Sequence, residues 1–345
     1  MHEKSMKETS PVVAIVGATG HTARFIVEEL LHRKIKPITI ARNLEALAKA
    51  SFSGEVLRRH ATLEDAKSLE LALDGAEVVI NCAGPFIDSA DAVAAAALRA
   101  EIHYLDVTAE RLSVLRTLEK FDSPARQAGV AVIPSVGFYG GFADLIVTAA
   151  LGDWDSADTI EVMIGLDSWH PTLGTRKTLS RISALRETAA PGSVVPEPQT
   201  PLKKHWDFGD PLGAQFVVEF SFTESTLIRR HVKTSELHIY LSDAAISDVS
   251  DPATPVPKAV DEAGRSAQHF VVEAVVARGA KSRRAIARGR DTYAFTAPLV
   301  CEVVERLLEG KFDDVGAHAP GEILDAKDVL AALRPDHLTF EITAG

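Results

Sequence analysis

A glycine-rich turn near the start of the chain constrains the fold more than any other feature. The run Val12-Val13-Ala14-Ile15-Val16 is a short apolar β-type segment, and Gly17-Ala18-Thr19-Gly20-His21-Thr22-Ala23 follows it directly, opening a helical pattern. A Gly-x-x-Gly-x-x-Ala spacing says little by itself and much more in this strand–turn–helix context. Gly17 permits the tight turn, Gly20 lets backbone approach a pyrophosphate, and Ala23 lets helix and strand pack closely. The free N–H groups at the helix start carry about half a positive charge, which favours an anion there. The segment predicts a dinucleotide site at Gly17, Ala18, Thr19, Gly20, His21 and Thr22; the alternative is a tight turn without a ligand.

The pattern around that turn repeats. Strand-like runs at residues 12–16, 37–41, 55–59, 77–81, 103–107 and 130–134 alternate with helical segments at 21–33, 44–50, 65–73, 90–100 and 110–128. Alternation of this kind implies a parallel sheet with right-handed crossovers, so residues 1–135 are expected to form an α/β, doubly wound Rossmann domain. Past Pro134 an apolar helix at 142–151 leads into β-type runs at 159–165, 216–222, 227–232 and 237–241. A hairpin is expected to pair 269–277 with 283–287 across Gly279-Ala280-Lys281. Strands unbroken by helices predict a mostly antiparallel α+β second domain, taken as residues 136–290. The remainder, 291–345, reads as helices at 298–308 and 326–333 with a short β-like end, expected to pack back on the first domain. Two domains also suit the length: single cores stop growing at roughly 250–300 residues, and the chain has 345. Two proline-rich stretches, one with Pro191, Pro196, Pro198 and Pro201, the other with Pro252, Pro255 and Pro257, read as surface connections or as a lid over a substrate.

The end of the second strand separates the two pyridine dinucleotides. A carboxylate there would hold the ribose 2′-hydroxyl, but the chain reads Ile38-Thr39-Ile40-Ala41-Arg42-Asn43, with no acid before Glu45. Arg42, beside Asn43, is expected to pair with a 2′-phosphate, which favours NADP(H) over NAD(H); the alternative is a solvated arginine at a helix start. A charged hydrogen bond worth about 1.5–3 kcal/mol would give roughly a ten- to hundredfold preference. The fourth strand ends in Asn81-Cys82-Ala83-Gly84-Pro85-Phe86, at the carboxyl edge where doubly wound sheets bind ligands. Small Ala83 and Gly84 leave room for the inner ribose and nicotinamide, Pro85 stiffens the loop, and Cys82 and Phe86 flank it; Thr108 and Gly137, after the fifth and sixth strands, complete the expected cofactor contacts.

Composition narrows the functional class. The net charge of −11 argues against nucleic-acid or anionic-membrane binding. Two cysteines, Cys82 and Cys301, cannot build a disulfide framework or a four-thiolate zinc site. No apolar run reaches about 18 residues, and the opening MHEKSMKETS is polar, so a cytoplasmic protein without integral membrane association is expected. No His-Glu-x-x-His or other metal-ligand spacing is present. The Tyr-x-x-x-Lys pair of short-chain dehydrogenases fails at every tyrosine: Thr108, Ala143, Ala244 and Ala297 stand four past Tyr104, Tyr139, Tyr240 and Tyr293.

Candidate catalytic groups are Tyr104 and Asp106 at the fifth strand, with Glu110 just after it, and Tyr139 in the turn that opens the second domain. Each has a plainer reading, as a strand-end hydrogen-bonding group, a helix-start charge or a packed aromatic. Thr172–Thr175 beside Arg176 could form a small anion-binding turn, or simply carry surface charge along with Asp167, His170 and Lys177. Arg278, Lys281, Arg283, Arg284, Arg288 and Arg290 read as solvated, and His231 and His269 as sheet residues.

Taken in order, VVAIVGATGHTA, ITIARN, VVINCAGPF, HYLDVTAE, PSVGF and GRDTYAFTAP resemble the saccharopine dehydrogenase-like reductases across nearly the whole chain. The resemblance implies an NADP-binding Rossmann domain, an inserted α+β domain and hydride transfer in the cleft between them, to or from a C=N, C=C or C=O group of a small or lipid-like substrate. That family includes saccharopine reductases and trans-acting enoyl reductases. Relatives often carry a GFDxxP-type turn where this chain has Gly137-Phe138-Tyr139-Gly140-Gly141, so no particular substrate is carried over. The alternative from another class is a non-catalytic NADP(H)-sensing binding protein. A homodimer is left open.

Overall fold

The computed structural model describes residues 10–188, 201–312 and 314–345. The expectation drawn from the first ten residues falls, apart from Ser10, outside the described residues, as do Pro191, Pro196 and Pro198.

The first part alternates as its pattern requires: β1 (Val12–Val16), α1 (His21–His32), β2 (Lys36–Ala41), α2 (Leu44–Lys49), β3 (Leu57–His60), α3 (Ala66–Leu73), β4 (Val78–Asn81), α4 (Phe86–Arg99), β5 (His103–Asp106), α5 (Arg111–Ala128) and β6 (Ala131–Ile133). An irregular turn, Phe138–Phe142, then leads to α6 (Ala143–Leu151), β7 (Ser156–Leu166), α7 (Leu173–Thr188), β8 (Lys203–Asp207), β9 (Ala214–Glu219), α8 (Glu224–His231), β10 (Lys233–Ser242), α9 (Asp243–Ser250), β11 (His269–Arg278) and β12 (Lys281–Arg290). The chain ends in α10 (Thr292–Leu308), β13 (Gly316–Ala317), α11 (Pro320–Ile323), α12 (Ala326–Ala332) and β14 (Leu338–Ala344).

Two seven-stranded sheets result. The first, ordered β13-β6-β5-β4-β1-β2-β3, is parallel throughout. Covered on both faces, its central strands are continuous apolar runs, as in Val78–Asn81, all buried. The strand order reverses between β1 and β4, and ligands of such sheets lie in the crevice beyond the carboxyl ends at that switch. The second sheet, β14-β12-β11-β7-β10-β9-β8, is antiparallel except where β7 and β10 run parallel.

Three expectations change. Residues 227–232, expected as a strand, lie mostly in α8, which buries Leu227 and Ile228 and sets Arg229, Arg230 and His231 in its last turn. A short apolar run cannot be told from a buried helix face by period alone, and cations at a helix C-terminus are favourable. The hairpin is tighter than expected: Arg278 pairs with Lys281, leaving only Gly279-Ala280 in the loop. The segment after residue 290 does not return to the first domain alone. Helix α10 packs on α1 and β13 extends the first sheet, but β14 pairs with β12 in the second.

Four of the six cations of the basic hairpin are paired with acids. Arg284 forms a two-pronged pair with buried Glu273 at 2.6 and 2.7 Å, while Arg278 pairs with Asp155, Arg283 with Asp153 and Arg288 with Glu341. Among the described residues no helix is long and apolar enough to cross a membrane, and no cluster of acids, histidines and cysteines is arranged to hold a metal.

Candidate functional site

At the switch point the β1–α1 turn and the β4–α4 loop touch. Gly17 has φ +81°, and a Cβ there would stand 2.9 Å from backbone atoms of Cys82 and Ala83. The amides of Gly17 and Ala18 donate to the Ile40 carbonyl and that of Gly20 to the Gly17 carbonyl, while Cys82 N–H donates to the Val16 carbonyl. No acceptor among the described residues takes the N–H groups of Thr19, His21 and Thr22, and no side chain caps α1. Free amides at a helix start are suited to an anion. Ala18 is placed otherwise: it is fully buried, with its amide committed to Ile40.

A cleft of about 1050 Å³ runs over these amides and into the second domain. Its outer end is bounded by Arg24 and Arg42, both exposed and both without an ion-pair partner among the described residues. Asn43 lines the same end, but its Oδ1 accepts the Ala46 amide at 2.9 Å and so caps α2. The middle is floored by Cys82, Ala83, Gly84 and Pro85, with Phe86 beside them. Burial pushes the Cys82 thiol up and keeps it protonated. Exposed arginines at the rim with Glu64 near them, unsatisfied amides and small residues at the strand ends are features that suit a dinucleotide.

The inner end is aromatic. The ring of Tyr139 lies 4.9 Å from that of Trp169 and 4.7 Å from that of Phe222. Tyr293, in the first turn of α10, completes the group: Trp169 Nε1 donates to its Oη at 3.0 Å, the Thr172 amide approaches at 3.4 Å, and the Thr175 hydroxyl lies at 3.0 Å. The Asp291 carboxylate holds that first turn in place by accepting the Tyr293 and Ala294 amides at 3.0 Å. Thr178, Leu179, Val256 and Pro257 form the remaining wall, so the second proline-rich stretch borders the cleft, tied to α7 by Arg176 donating to the carbonyls of Asp251 and Thr254.

With this geometry in place, comparison with known proteins bears on the nucleotide half and on the fold. Residues 13–133 match the saccharopine dehydrogenase NADP binding domain. The yeast saccharopine dehydrogenase (L-Glu forming) of Saccharomyces cerevisiae, in its apo form, superposes on 97% of this chain and 100% of its own with a TM-score of 0.63 at 14% identity, so the two share a fold. A stretch of 211 residues is 24% identical to a "Lipid droplet localized protein" of Caenorhabditis elegans, covering 53% of this chain and 49% of the other; the chain spans about half the length of that curated relative. A dipicolinate-bound dihydrodipicolinate reductase from Paenisporosarcina sp. TG-14 matches more loosely, with a TM-score of 0.42 at 12% identity over 90% of this chain and 98% of the other.

Within this saccharopine dehydrogenase-like frame, the expected catalytic groups separate. Tyr104 and Asp106 are fully buried beneath the cleft and do not line it. Asp106 Oδ1 accepts the amides of Ser135 at 2.7 Å and Thr108 at 3.0 Å, and its Oδ2 accepts the Tyr104 hydroxyl at 2.8 Å. The carboxylate therefore staples the ends of β5 and β6 together, and burial pushes its pKa up to about 6, with nearby Glu110 adding to the shift. Tyr104 is held well above its usual range by burial and by Asp106. Thr108 and Gly137 likewise support the cleft from beneath. Glu110 takes a role the sequence did not reveal: it accepts the Phe86 and Ile87 amides at 2.8 and 2.9 Å, capping α4 from a distance, and the Thr178 hydroxyl at 3.0 Å, which joins α7 to the nucleotide half.

Tyr139 does face the cleft. Sequence reasoning missed Trp169, Phe222 and Tyr293, although GRDTYAFTAP was already a recognisable motif; their convergence needs three distant segments to meet. The Thr172–Thr175 turn forms, but Thr172 Oγ1 caps the Thr175 amide at 3.0 Å and Arg176 is spent on carbonyls, so the arginine does not complete an anion site. His231 binds buried Asp144 at 2.7 Å and His269 binds Asp167 at 3.0 Å, both away from the cleft.

Proposed function

We propose that the chain is an NADP(H)-dependent oxidoreductase that moves a hydride between the cofactor and a C=O, C=C or C=N group of a small or lipid-like substrate. One observation carries this reading: a single cleft joins an unpaired cationic rim, a row of unsatisfied amides and a pocket of aromatic side chains from the second domain. Arg42 and Arg24 would bind the 2′-phosphate, and the amides of Thr19, His21 and Thr22 the pyrophosphate. The bound dinucleotide supplies the hydride. Ala83, Gly84 and Pro85 set the height of the floor, while Trp169, Phe222 and the α7 wall exclude water and hold the substrate against it. Tyr139 is the group we assign to hold or deliver a proton at the substrate, since its hydroxyl is buried and has no protein partner; Tyr104 and Asp106 position the strand ends from below.

Enoyl reduction is the second reading within this class. The apolar wall of Phe222, Leu179, Val256 and Pro257 supports it, and the name of the nematode relative places that protein at lipid droplets.

Calorimetric titration of NADPH and NADH into the wild type and Arg42→Ala tests the reading. NADPH should bind roughly ten- to a hundredfold more tightly than NADH, from a charged contact of about 1.5–3 kcal/mol, and Arg42→Ala should remove most of that difference. An unchanged ratio would overturn the 2′-phosphate assignment. Steady NADPH oxidation with any substrate would exclude the sensor alternative.

A further inference from the structure

Few buried polar side-chain atoms go without a partner in a folded protein, because an unmet one has given up its hydration with nothing in return. Among the described residues ten such atoms occur, and three of them belong to residues that line this one cleft: His21 Nε2, Tyr139 Oη and Thr292 Oγ1. They come from three separate places in the chain, the start of α1, the turn before α6 and the start of α10. Tyr293 sits among them. Its ring meets that of His21 edge-on at 5.5 Å, it follows Thr292 directly, and its hydroxyl binds the indole of Trp169, on whose ring Tyr139 packs. The other seven lie apart from the cleft; these three are buried behind its wall, on residues that border it, where a ligand pressed into the inner end could supply the missing partners.

The three groups themselves are uncharged, and the buried acids that act on them are Asp291 at His21 and Glu224 at Tyr139. Burial lowers the pKa of His21, which stays neutral, and raises that of Tyr139, which stays protonated. The cations that line the cleft, Arg24, Arg42 and Lys177, are all exposed, and Arg176 is committed to backbone carbonyls. Among the described residues, no arginine or lysine lines the aromatic end from within the protein interior. A carboxylate bound there would be desolvated without a cationic partner, which is strongly unfavourable, whereas a carbonyl or carboxamide could take the Tyr139 and Thr292 hydroxyls and the His21 ring nitrogen as donors or acceptors.

We propose that His21, Tyr139 and Thr292 form a neutral polar subsite that selects an uncharged carbonyl or carboxamide at the head of a flat, apolar compound and rejects the matching carboxylate. This deepens the reductase reading and rests on it. It makes this chain's substrate an aldehyde, ketone, enone or amide, not an amino acid or keto acid.

A matched pair separates the alternatives. The protein is first saturated with NADP+, with binding confirmed by calorimetry, and cinnamamide and cinnamate are then titrated while tryptophan fluorescence and ligand saturation-transfer signals are followed. Cinnamamide should bind at least tenfold more tightly than cinnamate. Tyr139→Phe, which keeps the ring and removes only the hydroxyl, should weaken the amide about fivefold or more while leaving cinnamate and NADP+ nearly unchanged. Thr292→Val should act in the same direction, and an unchanged melting temperature would show that both variants fold. Cinnamate binding as well as the amide, binding of neither compound to the NADP+ complex, or indifference to both substitutions would overturn the subsite. Failure of NADP+ itself to bind would instead overturn the reductase reading.

Discussion

Gly17→Ala tests the physical basis of the nucleotide turn, and the structure supplies its own control. Two costs arise at Gly17. A side chain at φ +81° is disfavoured by about 1–2 kcal/mol. A new Cβ at 2.9 Å from Cys82 and Ala83 backbone must also push the β1–α1 turn away from the β4–α4 loop, because no flexible side chain is there to yield. Overpacking of this kind costs about 1–3 kcal/mol, and the hydrogen bonds that join the two loops, such as Cys82 N–H to the Val16 carbonyl at 2.8 Å, stand to lose about 1 kcal/mol each. The first two costs sum to roughly 2–5 kcal/mol, and any lost hydrogen bond adds to it. Gly75 has nearly the same backbone, φ +77°, with nothing within 4 Å of its would-be Cβ, so Gly75→Ala isolates the conformational cost. Urea unfolding of both variants should give a loss of about 1–2 kcal/mol for Gly75→Ala and clearly more for Gly17→Ala. Calorimetry should show NADPH affinity kept in the first and reduced more than tenfold in the second. Equal losses in stability, or unimpaired binding by Gly17→Ala, would refute the claim that contact between the loops is what requires glycine.

Two further outcomes follow from the supporting network. The Asp106 pKa is raised from 3.8 to about 6, so its contribution to stability is fully present below about pH 4 and is lost as pH rises through about 6. That loss is about 3 kcal/mol by linkage, and Asp106→Asn should flatten the stability profile in that window relative to the wild type; identical slopes in urea titrations across pH 4–7 would contradict it. Glu110→Ala removes the cap on α4 and the link to Thr178, and should cost roughly 2–4 kcal/mol from the amides left unmet in a buried setting; a loss below about 0.5 kcal/mol in thermal or chemical unfolding would show the cap to be incidental.

The nucleotide half was legible in the sequence because its determinants are local. A strand, two glycines and a helix start occupy a dozen consecutive residues, and Gly17 needs its positive φ whatever the rest of the chain does. The strand–helix alternation likewise reports burial on both faces of a parallel sheet. Arg42 was singled out by position, and it lies exposed on the cleft rim. Chemistry-bearing residues were harder to sort. Tyr104 and Asp106 sit at the right end of the right strand, but alternation along β5 and the packing of α5 decide which side chains turn into the protein, and both are sealed beneath the cleft. Residues 227–232 had the composition of a strand, yet the docking of Leu227 and Ile228 and the bond from the Gly140 amide to Glu224 make them a helix.

By itself, then, the sequence determined the Rossmann half and the glycine turn at its switch point, because each depends on neighbours a few residues away. The tertiary structure decided what stands over that turn and its cleft. Tyr139, Trp169, Phe222 and Tyr293 are separated by up to 154 positions, 139 to 293, and meet only because β7, α8 and α10 close on one another around the cleft. Long-range packing, unlike a turn, leaves no spacing in the chain to read.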